Sequence, residues 1–196
     1  MKQGSLYEAL FQIGALIFVV IVVHATYVTV IRPNAELIQE QQQLLQQQDE
    51  NFVPERSVFI ILRDFEQETC IILMLWAIAI ISMKTQHTLR ERALLDRTLI
   101  QLQDGVSILP EDSRNYSRPV QALSSKEREF LLPRALLAGL HRFQSTENIQ
   151  AVSSIVKDTC ETEADRMETE LTIVRYIAWA IPSIGFLGTV RGIGTA

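Results

Sequence analysis

Residues 176–196 read Tyr176-Ile-Ala-Trp-Ala-Ile-Pro182-Ser-Ile-Gly185-Phe-Leu-Gly188-Thr189-Val-Arg191-Gly192-Ile-Gly194-Thr195-Ala196. The pattern is that of an apolar helix, but it contains one proline, four glycines and two threonines. A helix that only fills a bilayer does not need a proline, small residues and hydroxyls together, because apolar side chains suffice in contact with lipid. The stretch therefore predicts a tightly packed helix bundle in a membrane, with a polar feature inside the bundle.

Two further apolar runs precede this stretch. Ala9 to Ile31 is 23 residues without a formal charge, which at about 1.5 Å per residue can cross a hydrocarbon core of about 30 Å. A signal peptide would have a shorter apolar region followed by a small-residue cleavage site, so we interpret the run as a retained transmembrane helix. The second run, Thr69 to Met83, is 15 residues long. We expect one continuous helix to cover it and the amphipathic segment 57–68; a buried soluble helix is the alternative.

These runs predict an all-α membrane protein whose last helix runs from the cytoplasm into the membrane. The segment 32–68 holds three basic and eight acidic residues, whereas basic residues cluster after residue 83. By the positive-inside rule, the N-terminus and the region after residue 83 are cytoplasmic. The expected boundaries are a cytoplasmic N-terminus at 1–8, transmembrane helices at 9–31, 69–83 and 172–196, an external Gln-rich connector with an amphipathic helix at 32–68, and a cytoplasmic helical region at 84–171.

Apolar spacing predicts helices throughout the cytoplasmic region. Apolar residues recur every three or four positions across 95–109, which is typical of one buried helix face. The segment 110–119, with a proline at each end, is predicted to be a loop. Ser124 and Glu127 have the capping-box spacing and predict the start of a helix that continues to Phe143 with a bend at Pro133. From Ser145 an unbroken stripe predicts the long helix that enters the membrane.

Composition excludes several function classes. The net charge is −5 and the cytoplasmic part is nearly neutral, whereas nucleic-acid binding requires a clustered basic face. Cys70 is expected in the membrane and Cys160 in the cytoplasm, so we expect no disulfide. The sequence contains no Gly-rich phosphate loop and no metal-ligand spacing, so neither a cofactor nor a metal is expected.

The motif Pro182-x-x-Gly185-x-x-Gly188-Thr189-Val190-x-Gly192-Ile193 resembles the signature of the MotA/TolQ/ExbB proton-channel family, most closely its TolQ/ExbB branch. In that family the motif lies in a membrane helix that continues a long cytoplasmic helix, and the matching stretch here is Ser145–Gly194. The two helices before the cytoplasmic part are more similar to MotA, because ExbB and TolQ have one helix there. The resemblance implies a fourth membrane helix, so we expect the sequence to be part of a longer protein.

The resemblance also implies a function. It implies a multi-pass, pentameric subunit of the bacterial inner membrane that encloses two copies of a single-span partner similar to ExbD, TolR or MotB. The partner supplies a membrane Asp, and flow of protons or sodium ions drives mechanical work. The expected function is thus a channel-forming stator subunit of a motor, not an enzyme, whose load could be protein transport, the envelope, motility or defence. The alternative is a structural membrane protein whose glycines only pack helices and whose cytoplasmic helices recruit a partner.

Two hydroxyls are the predicted ion-pathway residues, Thr189 and more weakly Thr195. The Thr189 hydroxyl can donate to and accept from water or a partner carboxylate, or it can bond back to the Gly185 carbonyl. The three apolar runs contain no acid, which fits a channel wall whose titrating group comes from another chain.

Structural roles are predicted for the other motif residues. Pro182 cannot donate to the carbonyl four residues earlier, which bends the helix. Gly185, Gly188 and Gly192 place small residues where another helix can approach closely. Arg191 is predicted either to contact a partner at the outer mouth of the channel or to extend to the lipid headgroups.

Overall fold

The computed structural model describes residues 2–48, 57–100 and 108–194. Within these ranges the chain is almost entirely helical and has no β-strand, which confirms the all-α fold class. Three helical stretches are long and apolar enough to cross a membrane, namely Leu6–Gln47, Phe65–Arg92 and Ile149–Gly194. We therefore describe the chain as a membrane protein.

The helices group into two compact units. The membrane unit comprises Met1–Ser82 and Ile173–Ala196, and the inserted unit comprises Met83–Thr172. In chain order the helices are α1 Lys2–Thr26, a π turn at Tyr27–Ile31, α2 Arg32–Gln48, α3 Val58–Leu62, α4 Phe65–Arg92, a 3₁₀ turn at Pro110–Asp112, α5 Ser113–Gln121, α6 Ser125–Arg128, α7 Leu131–Thr146, α8 Ile149–Glu170 and α9 Thr172–Gly194.

A π turn joins α1 to α2 without ending the helix. The Arg32 backbone N–H donates to the carbonyl of Tyr27, five residues earlier. Pro33 explains this wider turn, because it has no N–H to donate to the Thr29 carbonyl and its ring displaces that carbonyl. One extra residue is thereby accommodated in the helix. The predicted first membrane helix thus continues well beyond Ile31.

The predicted continuous helix over 57–83 is wrong. The helix α3 ends at Leu62, and α4 begins at Phe65. The Asp64 carbonyl accepts hydrogen bonds from the backbone N–H groups of Gln67 and Glu68. Acidic side chains in the first turn of a helix interact favourably with its dipole, so the charged segment begins a new helix instead of extending the previous one.

In the inserted unit, two of the predicted elements are wrong. Residues 93–100 form turns and bends, so the helix predicted over 95–109 does not exist where the structure describes the chain. Leu94 is buried there, whereas Leu95 and Leu109 are mostly exposed. The predicted loop at 110–119 forms the 3₁₀ turn and most of α5. Pro110 fits the start of a helical segment, because its missing N–H has no partner in a first turn.

The capping box is confirmed, but the helix after it is shorter than predicted. The Ser124 side chain accepts from the Glu127 N–H, and the Glu127 carboxylate accepts from the Ser124 N–H. The pKa of Glu127 is lowered by hydrogen bonds from the Ser124 side chain and backbone, and by Arg97. The helix nevertheless ends at Arg128, and α7 begins at Leu131. Pro133 lies in the first turn of α7, where its ring does not clash with a preceding helical turn, so it begins a helix and does not bend one.

The helices α7 and α8 form the centre of the inserted unit. Gly139 is buried at their contact, and a Cβ added there would lie 3.2 Å from Val156 Cγ2. The two helices border an apolar cavity of about 970 Å³. Between them, Glu147 has a φ of 50°, and Asn148 caps α8 by accepting from the N–H groups of Gln150 and Ala151. The predicted long helix begins near Ser145, at Ile149, but it is not unbroken, because α8 ends at Glu170, Leu171 forms a turn and α9 begins at Thr172.

Candidate functional site

One face of α9 packs against α4 within the membrane unit. The Cys70 thiol donates to the Ile181 carbonyl at 3.5 Å. A Cβ added at Gly188 would lie 3.4 Å from Cβ and Cγ of Glu66. Ile181 and Gly188 are seven residues apart and share a face at about 100° per residue. Gly188 therefore lies on the face of α9 that contacts α4.

Three other motif residues lie on a neighbouring face of α9. Pro182, Gly185 and Thr189 are rotated by about 60° to about 120° from Gly188 around the helix axis. Pro182 and Thr189 are exposed. Among the described residues, no atom outside the neighbouring helix backbone would lie within 4 Å of a Cβ added at Gly185 or at Gly192. This surface, the motif face, is defined by Pro182, Gly185 and Thr189.

The Thr189 hydroxyl already has one partner in its own helix. It donates to the Phe186 carbonyl at 2.7 Å, rather than to the Gly185 carbonyl considered from the sequence. The hydroxyl oxygen can still accept a hydrogen bond from water or from a protonated group. An ion-pathway role for Thr189 stays a prediction, and Thr195 lies outside the described residues.

Arg191 contacts two acidic residues near the start of α4. Its Nη1 lies 3.0 Å from Glu66 Oε1, and its Nη2 lies 3.4 Å from Asp64 Oδ1. The Arg191 side chain is 54% exposed and that of Glu66 is 15% exposed. These ion pairs join α9 to the start of α4 next to the close approach at Gly188. The predicted contact of Arg191 with a partner at the outer mouth stays a prediction.

A second polar cluster was missed by the sequence interpretation. Glu68, in the first turn of α4, has a side chain that is only 3% exposed. Its Oε1 lies 2.7 Å from His24 Nδ1, and its Oε2 accepts from Arg32 Nη2 at 2.8 Å. The two carboxylate oxygens thus have separate partners on the first helix. We call Glu68, His24 and Arg32 the buried triad after the buried Glu68, since the side chains of His24 and Arg32 are 56% and 36% exposed.

The π turn brings His24 and Arg32 to the same side of the first helix. In a regular α-helix, eight residues advance about 800°, which leaves the second side chain about 80° away from the first. One extra residue accommodated between them reduces the effective spacing to about seven residues, and the angular difference to about 20°. Both side chains can then contact one carboxylate.

The sequence contains three signals for this site. Glu68 directly precedes the apolar run that begins at Thr69, and His24 lies inside the first run. The third signal is Pro33, which interrupts an otherwise helical pattern and indicates an irregular turn. Assigning Glu68 to the external connector concealed its burial.

Tyr27 lies in the π turn and belongs to the same region. It is 1% exposed, and its hydroxyl has no hydrogen-bond partner within the described part of the chain. Glu68, Arg32 and Cys70 are close enough to interact with it electrostatically. Across the described ranges, no group of three His, Cys, Asp or Glu side chains is placed to hold a metal ion. The imidazole, carboxylate and phenol groups of this region can form hydrogen bonds and bind protons.

Comparison with known proteins identifies part of the chain. Residues 127–196 match the MotA/TolQ/ExbB proton channel family. This match confirms the resemblance inferred from the motif and extends it towards the start of α7. The family is of a channel type, and its matched domain contains α7, α8 and α9. The buried triad precedes the match. No curated protein and no solved structure matches the chain.

Proposed function

We propose that the chain is a channel-forming stator subunit of a motor in the bacterial inner membrane, with its N-terminus in the cytoplasm. Proton or sodium flow through it would do mechanical work by way of a single-span partner. The observation that carries the proposal is the motif face. This face lies inside the family match, and at Gly185 no other described part of the chain approaches it.

Glycine on an open helix surface has a physical cost. In a helix interior it is about 1 kcal/mol less favourable than alanine, so an uncovered Gly185 is best explained by a second helix packed there in the assembly. Small residues allow such close packing in membranes. A neighbouring copy of the chain and a single-span partner, similar to ExbD, TolR or MotB, are the helices proposed to cover this face.

Thr189 makes the same face polar. Its hydroxyl oxygen is placed beside Gly185, so a water molecule or the membrane Asp of a partner could bond to it. A channel wall also requires that α9 keep a fixed orientation. The contact of Gly188 with Glu66 and the ion pairs of Arg191 support this. One side of α9 thus contacts α4 of its own chain, and the motif face is available to contact another chain.

The test is ion flux in vesicles that contain the chain together with its co-expressed partner. Thr189→Val should reduce flux by at least about tenfold, because it removes the hydroxyl while keeping the side-chain size. The matched control is Thr26→Val, since Thr26 is exposed in another membrane helix and its hydroxyl likewise donates to a carbonyl of its own helix, that of Val22. Full flux from an assembled Thr189→Val complex would contradict the pore role.

A structural membrane protein is the second candidate, and one observation favours it. The Thr189 hydroxyl bonds to Phe186 within its own helix, as it would if it had no external ligand. Native mass spectrometry of the complex distinguishes the candidates. The proposed function requires several copies of the chain, five by analogy with the family, with fewer copies of a single-span protein that carries a membrane Asp. A chain that never assembles with such a protein would favour the structural role.

A further inference from the structure

Glu68 is a buried carboxylate in the part of the chain that crosses the membrane. Isolated charges are strongly disfavoured in such surroundings unless they are paired. Arg32 provides the pairing at 2.8 Å, and this single cation is enough to neutralise the carboxylate. His24 is therefore not required for charge balance, although its ring nitrogen lies 2.7 Å from the other oxygen.

Two features make His24 more than a packing residue. Its side chain is 56% exposed on the surface of the single chain, whereas that of Glu68 is 3% exposed, so the imidazole lies between the chain surface and a buried acid. Histidine also changes charge close to neutral pH more readily than any other side chain. Ionisable residues inside membrane segments are commonly parts of proton relays.

We propose that His24 and Glu68 form a proton-exchange site in the membrane unit, held in place by Arg32. A hydronium ion transfers its proton to Nε2 of the neutral imidazole and leaves as water, and the proton on Nδ1 passes to Glu68 Oε1 along the existing hydrogen bond. The imidazole stays neutral, the carboxylate becomes a carboxylic acid, and no other bond is formed or broken. The reverse sequence returns the proton to water.

The surroundings of the site are consistent with a transient gain of one proton. Before uptake, the positive charge of Arg32 and the negative charge of Glu68 cancel, and after uptake the site carries one net positive charge. The buried Tyr27 hydroxyl, which has no partner in the described structure, can turn its oxygen towards this charge. The ionisable or charged groups around Glu68 are His24, Tyr27, Arg32 and Cys70, and two residues earlier on α4 Glu66 is paired with Arg191.

This inference is independent of the proposed motor function. All residues of the site precede residue 127, where the family match begins, and the exchange needs no partner protein. The site would still bind a proton in a chain whose Thr189→Val variant conducts normally.

The experiment is infrared difference spectroscopy of the whole chain in lipid vesicles, from about pH 4 to about pH 9, the range in which carboxyl and imidazole groups titrate. We expect a carbonyl stretch from a protonated carboxylic acid that shifts in deuterated water and disappears in Glu68→Gln. His24→Gln should move its midpoint by about one pH unit or more, because it removes the imidazole hydrogen bond to the carboxylate. Glu36→Gln, which removes an exposed carboxylate of α2, should leave the signal in place.

Two results would contradict the proposed proton exchange between His24 and Glu68. Identical titrations in the wild-type chain and in Glu68→Gln would mean that Glu68 remains ionised as a fixed partner of Arg32. An unchanged midpoint in His24→Gln would remove the histidine from the exchange.

A second measurement covers the case in which Glu68→Gln does not fold. The sequence has three histidines, so nitrogen-15 labelling of histidine gives few signals, and His24→Gln identifies the one from His24. Its ring nitrogens must change protonation over the same pH range in the wild-type chain. A constant His24 signal would overturn the proposal.

Discussion

Gly188 lies where α9 contacts α4. A Cβ added there would lie 3.4 Å from Glu66, which is an ordinary contact distance, so Gly188→Ala should fold normally. A larger side chain has to displace Glu66, whose carboxylate is also bound by Arg191. Contacts of this kind limit the size of a residue and not only its polarity.

We therefore predict that Gly188→Leu destabilises the membrane unit by about 1–3 kcal/mol, the usual cost of overfilling a packed contact. Thermal unfolding in detergent, compared among the wild type, Gly188→Ala and Gly188→Leu, measures this cost. Gly185→Leu is the matched control, because at that position no described atom would lie within 4 Å of an added Cβ. Equal stabilities of the two leucine variants would contradict the α4–α9 contact.

At the scale of elements, helix starts and ends were predicted best from the sequence where the interactions that define them are local. The capping box requires only two residues three positions apart, so Ser124 and Glu127 were identified correctly. The helix over 95–109 was predicted from apolar spacing alone, and Leu95 is instead mostly exposed. Local periodicity does not reveal where the chain turns back to pack against another helix.

The buried triad shows the same limit within the candidate site. The residues of the motif could be identified, because they lie close together in sequence on one helix, but which of them contact α4 could not. Glu68 and His24 are 44 residues apart, and Arg32 reaches the same carboxylate only because of the π turn that precedes Pro33. A regular helix would turn Arg32 away from the carboxylate. No count of apolar residues could therefore have predicted the burial of Glu68.

The α6 cap provides a pH-dependent prediction. Hydrogen bonds from Ser124 lower the pKa of Glu127, with a further contribution from Arg97. A carboxyl whose folded-state pKa is lowered stabilises the fold at higher pH, and this contribution is lost as the pH falls through the folded-state pKa. The stability difference between the wild type and Glu127→Gln should therefore shrink on acidification.

Denaturant unfolding at several values between about pH 6 and about pH 3 measures this difference across the range in which carboxyl groups titrate. Glu129→Gln serves as the control, since Glu129 is exposed and lies outside the capping box. A difference between wild type and Glu127→Gln that stays constant with pH would show that the cap does not depend on the charge of Glu127.

At the scale of the whole molecule, the two units use their glycines differently. Gly139 is buried between α7 and α8, with Val156 Cγ2 at 3.2 Å from an added Cβ. Its small size is already explained by packing within the chain. The open surface at Gly185 has no such explanation within the described structure, which is why the proposed function places another helix there.

This contrast leads to a prediction about assembly. Gly139→Leu should lower the thermal stability of the chain, by about 1–3 kcal/mol, because the side chain must displace Val156. Gly185→Leu should leave that stability nearly unchanged but reduce the fraction of assembled complex, because the new side chain would occupy the space needed by a neighbouring helix. Size-exclusion chromatography with light scattering, together with thermal unfolding of the same samples, separates the two effects. Full assembly of Gly185→Leu would mean that the motif face contacts lipid, and the channel proposal would lose the observation on which it depends.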